Sequence, residues 1–123
     1  ILYNNQSWVL PKLDLTFLNN LAKDFSGNLN FLSFSKYRKD NKHTKCNIFS
    51  SHWQKNRQMF TFCIKANRYL HHMIRYIVGS MIGVYQNKMS KLEFELLLEN
   101  PRKNVKIFKA PSQGLILRKV NYD

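Results

Sequence analysis

Acidic residues are scarce in this sequence. Seven Asp and Glu stand against twenty Lys and Arg, a formal net charge of +13. Such an imbalance concentrates polyanions near the surface through long-range attraction. Nucleic acid is the commonest polyanion, and each phosphate neutralised releases condensed counterions. Cysteine is also rare. Cys46 and Cys63 fit no zinc spacing, and a small secreted scaffold carries more cysteines. A reducing, cytoplasmic setting follows, with both thiols in the core or in strands. No stretch approaches the roughly 18 uninterrupted apolar residues of a membrane-spanning helix, so no membrane partner is expected. The opening "ILYNNQSWVLPKL" lacks a charged leader followed by an apolar block, and no export signal is expected. His43, His52, His71 and His72 share no ligand spacing, which leaves no metal site in prospect. Repeats and low-complexity tracts are absent.

What is present suits one domain. The chain has 123 residues and 44% of them are hydrophobic, enough for a packed core across residues 1–123. It opens on Ile1 rather than Met, as a piece of a longer protein would. The acids are grouped: Asp14 and Asp24 early, Glu93, Glu95 and Glu99 later, Asp123 last. Between Lys36 and Lys91 the only acid is Asp40, against a series of basic residues from Arg38 to Lys88. That skew favours a directed basic surface over lysine spread evenly by composition, the plainer alternative.

Spacing predicts the elements. In "LDLTFLNNLAKDFSG", Asp14 is placed to cap a helix whose Leu15, Leu18, Leu21 and Phe25 recur at helical intervals, and Gly27 closes it. An aromatic segment, "NFLSFSK", leads into a basic turn-forming loop. "KCNIFSSHW" and "QMFTFCIKA" read as a hairpin with "QKNR" as its turn. Phe60, Phe62, Ile64 and Ala66 alternate with Met59, Thr61, Cys63 and Lys65, the period of a half-buried strand. A helix is predicted over about Arg68 to Gln86. Ser90 caps another, with Leu92, Leu96 and Leu97 inward and Pro101 beyond its end. A turn and a strand finish the chain, with Leu115, Leu117 and Val120 toward the core. This order predicts an α+β fold, helices packed on one face of a mainly antiparallel sheet.

The helix "ANRYLHHMIRYIVGSMIG" poses a question. Leu70, Met73, Ile74, Ile77, Val78, Met81 and Tyr85 form one apolar stripe. Opposite them an ideal helix places Arg68, His72, Arg75, Gly79 and Gly83. Glycine inside a helix costs up to about 1 kcal/mol relative to alanine, so two of them suggest a flat strip for close approach. Arg75 then has two readings. It is a surface cation with its stem on apolar neighbours, or it points into a cleft and needs an anionic partner, since a buried unpaired guanidinium is costly.

These residues resemble a known family. "ANRYLHHMIRYIVGSMIGV" and the later "APSQGLILRKVNY" are similar to the C-terminal half of tRNA pseudouridine synthase A. That family carries an A-N-x-F…H/R-H/R-M-V/I-R-x-I-V-G helix and an A-P-A-x-G-L-x-L-x-x-V-x-Y strand. "GNLNFLSFSK" is similar to its G-x-H-D-F-x-x-F, and the resemblance runs from about residue 12 to 122. It implies isomerisation of uridine to pseudouridine in the tRNA anticodon stem-loop, with no cofactor and no metal. The family's nucleophilic aspartate lies in a G-R-T-D-x-G-V-H motif of the N-terminal half, and this sequence lacks that motif. Asp14, Asp24, Asp40 and Asp123 have no matching context.

The resemblance therefore implies the supporting half of a cleft, inactive alone, in an enzyme that commonly forms a homodimer. Arg75 matches the arginine that pairs with the catalytic aspartate. Gly114 and Leu115 match the Gly-Leu pair, whose apolar member packs near the target base. Arg68, His72, Lys36, Arg38, Lys39 and Lys42 are placed to contact RNA phosphates, which position RNA without reading its sequence. Two departures stand out: Leu29-Asn30 replaces the family's His-Asp, putting that pair's local hydrogen bonding in question, and "VKIFK" replaces a small Thr-containing segment. A non-catalytic basic RNA-binding module is the alternative reading.

Overall fold

The computed structural model describes residues 2–9, 14–36, 43–57, 59–103, 105 and 116–121, the first and last of these ranges through their backbone pairing. Strand β1 spans Leu2–Val9 and helix α1 Leu15–Ala22, which tightens into a 3-10 turn over Lys23–Phe25. Strand β2 covers Gly27–Asn30 and is followed by a second 3-10 turn, Leu32–Phe34. Strands β3 (Lys45–Asn56) and β4 (Met59–Ala66) come next, then helices α2 (Met73–Tyr85) and α3 (Lys91–Glu99), and strand β5 (Ile116–Asn121). One five-stranded sheet results, in the order β2-β3-β4-β1-β5, and each neighbouring pair is antiparallel.

The α+β expectation holds, and local chemistry explains much of it. Asp14 accepts from the N–H groups of Thr16 (2.9 Å) and Phe17 (3.2 Å), satisfying two donors at the start of α1. Gly27 follows with φ +100°, a backbone that disfavours any side chain even though nothing crowds the position. In β4, Phe60, Phe62, Ile64 and Ala66 are buried while Met59, Thr61, Cys63 and Lys65 are half-buried, as the alternation requires. Burying each of the larger three contributes about 1.5–3 kcal/mol. The helices close over that face in a single core with Leu18, Leu21, Met73, Ile77, Val78, Met81, Phe94 and Leu97. At one end of the core Phe25 meets Phe31 (6.2 Å between centroids), Phe34 (5.3 Å) and Phe94 (5.3 Å). These contacts join α1, the second 3-10 turn and α3.

Four expectations need correction. The hairpin turn is tighter than "QKNR": the ladder continues to the Asn56–Met59 pair, and Arg57 takes φ 58° in the turn. Helix α2 starts at Met73, not Arg68, because His72 adopts a left-handed φ of 58° and the His71 carbonyl accepts instead from the Lys36 N–H (3.1 Å). In α3 the inward residues are Phe94 and Leu97, whereas Leu92 (66% exposed) and Leu96 (39%) face out. Ser90 does cap that helix, accepting from the Glu93 N–H at 3.1 Å. Gly79 and Gly83 are both buried rather than an open strip, and Gly83 lies under Met89 with its carbonyl accepting from Lys88 and Met89.

Two strands escaped the sequence reading. β2, the four residues Gly27–Asn30, runs from the glycine expected to close the first helix to the start of the aromatic segment. β1, with the polar centre "NNQS", shows no apolar alternation, yet it pairs with β4 on one side and β5 on the other.

Candidate nucleic-acid interface

Of the basic residues singled out in the sequence, Lys36, Arg68 and His72 are described, and they meet where the chain leaves β4 and enters α2. After Ala66, the segment 67–72 is held to the start of β3 rather than coiled into the helix. Asn67 and Asn47 clamp each other: the Asn47 N–H donates to Asn67 Oδ1 (2.8 Å), and the Asn67 N–H to the Asn47 carbonyl (3.1 Å). Arg68 donates through Nη1 to the carbonyls of His43 (3.0 Å) and Lys45 (3.4 Å). It also lies 3.2 Å from His43 Nδ1, which receives the Lys45 N–H at 3.3 Å. Two donors aimed at one ring nitrogen make Nδ1 the acceptor and place that tautomer's proton on Nε2.

Residues 37–42, with Arg38, Lys39 and Lys42, lie outside the described residues, but the residues on either side do not. Lys36 is tied by its N–H to His71, and His43 is tied to Arg68. Both flanking residues therefore meet the segment that leads into α2. The rings of His71 and His72 meet at a tilt, with centroids 3.9 Å apart and an interplanar angle of 49°. They sit in the turn before α2 rather than on the helix itself. Among the described residues, no group of three His, Cys, Asp or Glu is placed to hold a metal ion.

Arg75 projects from the first turn of α2 and is half-buried, between its two sequence readings. α2 then runs along β3 toward the hairpin: Cys46 Sγ lies 3.9 Å from Met73 Sδ, and Trp53 Nε1–H donates to Met81 Sδ at 3.4 Å. Gly114 and Leu115 lie outside the described residues. The next residue, Ile116, pairs with Ser7, which in turn faces Thr61 in β4, while Asn121 reaches the level of Leu2 and Ala66. The start of β5 and the start of α2 thus lie toward opposite ends of the strands.

The Leu29-Asn30 departure proves mild. Asn30 Oδ1 accepts from the Leu32 N–H (3.0 Å) and the Thr44 hydroxyl (2.6 Å), while the Phe31 N–H donates to the Thr44 carbonyl (2.9 Å). The amide oxygen serves as acceptor where the family has a carboxylate. Sequence reading missed Thr44, Asn47 and Asn67; Asn67 stood in the matched helix motif and was a signal available to it.

Between β3 and β4 the sheet's second face carries polar residues. Ser50 pairs with Lys65, His52 with Cys63 and Gln54 with Thr61, and Gln54 Nε2 lies 3.2 Å from His52 Nε2. Neither thiol is a ready nucleophile. Burial pushes Cys46 up to about 11, partly offset by Arg68, and burial also raises Cys63. Tyr69 is raised chiefly by burial, its hydroxyl donating to the Ile64 carbonyl at 3.0 Å. Two cavities open elsewhere: one of ≈ 440 Å³ beside Leu96, Leu97 and Arg102, another of ≈ 420 Å³ beside Asp24, Glu95 and Glu99. Asp24 is raised by burial first and by Glu95 second, but it lies in this α3 cavity and not beside Arg75.

Comparison with known proteins gives a consistent picture. A family model described as tRNA pseudouridine synthase matches residues 21–123. The chain is 33% identical to tRNA pseudouridine synthase A of Chlorobaculum tepidum, over 90% of this chain and 45% of that protein. It is 36% identical to the protein of the same name from Chlorobium limicola, over 78% and 40%. A Xenopus laevis protein named tRNA pseudouridine synthase-like 1 is 28% identical over 97% of this chain and 46% of its own length. The chain thus spans less than half the length of these relatives.

Proposed function

The chain belongs to the tRNA pseudouridine synthase family, and from that premise we propose that it serves as the C-terminal half of an enzyme isomerising uridine to pseudouridine in the anticodon stem-loop of tRNA. The observation that carries this reading is the match over residues 21–123, which includes Arg75 and the basic segment around it. In this reading an aspartate from an N-terminal half attacks the reacting nucleotide, and no metal or cofactor takes part. Arg75 pairs with that aspartate, keeping the carboxylate ionised and aimed. A uridine within a folded stem-loop must leave its stack first. The apolar wall against the extruded base is assigned to Leu115 with Gly114. Both precede β5, which starts toward the other end of the strands from α2, so the nucleotide must reach along the sheet from Arg75. Arg68, His72, Lys36, Arg38, Lys39 and Lys42 hold phosphates around it. Arg68 works partly through its own chain, since the bonds to His43 and Lys45 fix the start of β3 where the RNA arrives.

The complete enzyme acts as a homodimer in the cytoplasm. Its test is direct. The 123-residue chain, incubated with unmodified tRNA, forms no pseudouridine, and the protein carrying a Gly-Arg-Thr-Asp segment does. Turnover by this chain alone would overturn the assignment of the nucleophile to another segment. RNA binding with no turnover in any form of the protein would favour the non-catalytic RNA-binding module instead.

A further inference from the structure

The described residues include one aromatic ring that neither the core nor the proposed site uses. Phe49 is 48% exposed, the most exposed aromatic among the large hydrophobic residues on the surface. Phe17, also exposed, meets Tyr85 edge to face at 5.4 Å between centroids. Among the described residues no ring packs on Phe49.

Its position follows from a break in the ladder. Ile48 pairs with Ala66 and Ser50 with Lys65, so Phe49 is the extra residue of a β-bulge. A bulge gives up regular pairing and re-aims one side chain. This one is held firmly. On one side stands the Asn47–Asn67 clamp, and on the other the ladder resumes at Ser50–Lys65. Core and open face change over here, since Ile48 is buried and the next ladder position begins the polar strip of Ser50, His52 and Gln54.

The surroundings are cationic. Lys65 is one ladder position away, Lys45 is exposed earlier in the same strand, and the Lys45 carbonyl receives Arg68. Phe49 lies four positions along the strand from Lys45, about 13 Å at the rise of an extended chain. An exposed ring interleaved with cations is what unpaired nucleotides require: the base stacks on the ring and the phosphates meet the charges.

We propose that Phe49 is a positioning residue for RNA, stacking on an unpaired nucleobase of the molecule that Arg68 and Lys36 hold by its phosphates. This rests on the RNA-binding part of the proposed function and extends it from phosphate contacts to a base contact. A stacking contact tolerates any base, so it orients a loop without fixing its sequence.

The test uses the full-length enzyme with an unmodified tRNA transcript and, as control, an RNA duplex of the same length. Phe49→Ala weakens tRNA binding about tenfold, the scale of one lost stacking contact, and leaves duplex binding unchanged. Phe49→Leu, which keeps apolar bulk without a ring, loses as much as the alanine variant, and Phe49→Trp retains the affinity. If the leucine variant binds like the parent, the ring packs against protein and the proposal is wrong. Equal losses for tRNA and duplex would also overturn it. A parent enzyme that binds no RNA would instead refute the functional reading beneath it.

Discussion

Arg68 and His43 are twenty-five residues apart, and the guanidinium of one donates to the carbonyl of the other at 3.0 Å. This bond, with its neighbour to Lys45, replaces the helical turn that spacing predicts at Arg68. It also sets the start of β3 beside the entry to α2. Arg68→Met keeps the stem and removes the fork. It should lower stability by about 1 kcal/mol, the net worth of a part-exposed hydrogen-bonded pair. Arg68→Lys should recover little, because a single ammonium cannot span two carbonyls in fixed geometry. Urea unfolding of the three proteins measures both effects.

Asn19 protects an edge. Its side-chain carbonyl accepts from the Trp53 N–H at 2.7 Å and its amide donates to the Trp53 carbonyl at 3.2 Å, standing in for a neighbouring strand. Asn19→Leu leaves both backbone groups of Trp53 without that partner. A loss of about 1–3 kcal/mol is expected, with a greater tendency to associate through the uncovered β3 edge. Thermal unfolding and light scattering at rising concentration read the two consequences.

These two contacts mark what the sequence could and could not convey. Asp14, Ser90 and the alternation in β4 are local signals, and the structure keeps all three. Leu92 and Leu96 misled because helical spacing alone permits several faces of a short helix; Phe94, drawn into the cluster around Phe25, decides which face turns inward. His72 is similar. Nothing in "RYLHHMIR" stops a helix, and the break coincides with long-range bonds from Lys36, Arg68 and Asn67. β1 was illegible for a related reason, since its polar residues gain strand structure from β4 and β5. The chemistry of Arg75 came from resemblance rather than from spacing, which left it between surface and cleft.

Cys46 supplies a pH signature. Its folded value lies at about 11, above the ordinary 9.0, so the fold favours the neutral thiol. The sign follows: that preference costs nothing below pH 9, and stability falls as pH rises from about 9 to about 11. Cys46→Ala should flatten this part of the alkaline stability profile while losing some packing against Met73. A parallel measurement is thiol labelling at pH 8, where Cys46 should react only on unfolding. Rapid labelling in the native protein would contradict its burial.

Electrostatic capture of tRNA should depend steeply on salt. If about six phosphates are neutralised, affinity falls roughly a thousandfold between 50 and 200 mM salt. Filter binding across that range gives the slope. A flat response would mean that the +13 charge reflects composition and not a directed surface.

The central claim is that Arg75 serves an aspartate delivered by another segment, and single-turnover kinetics of the full-length enzyme carrying Arg75→Ala test it most directly. Pseudouridine formation should slow by about a hundredfold or more, the scale of a lost preorganised charge contact, with tRNA affinity within about threefold of the parent. Rate and affinity falling together would show that Arg75 grips phosphate, and an unchanged rate would place it outside the cleft.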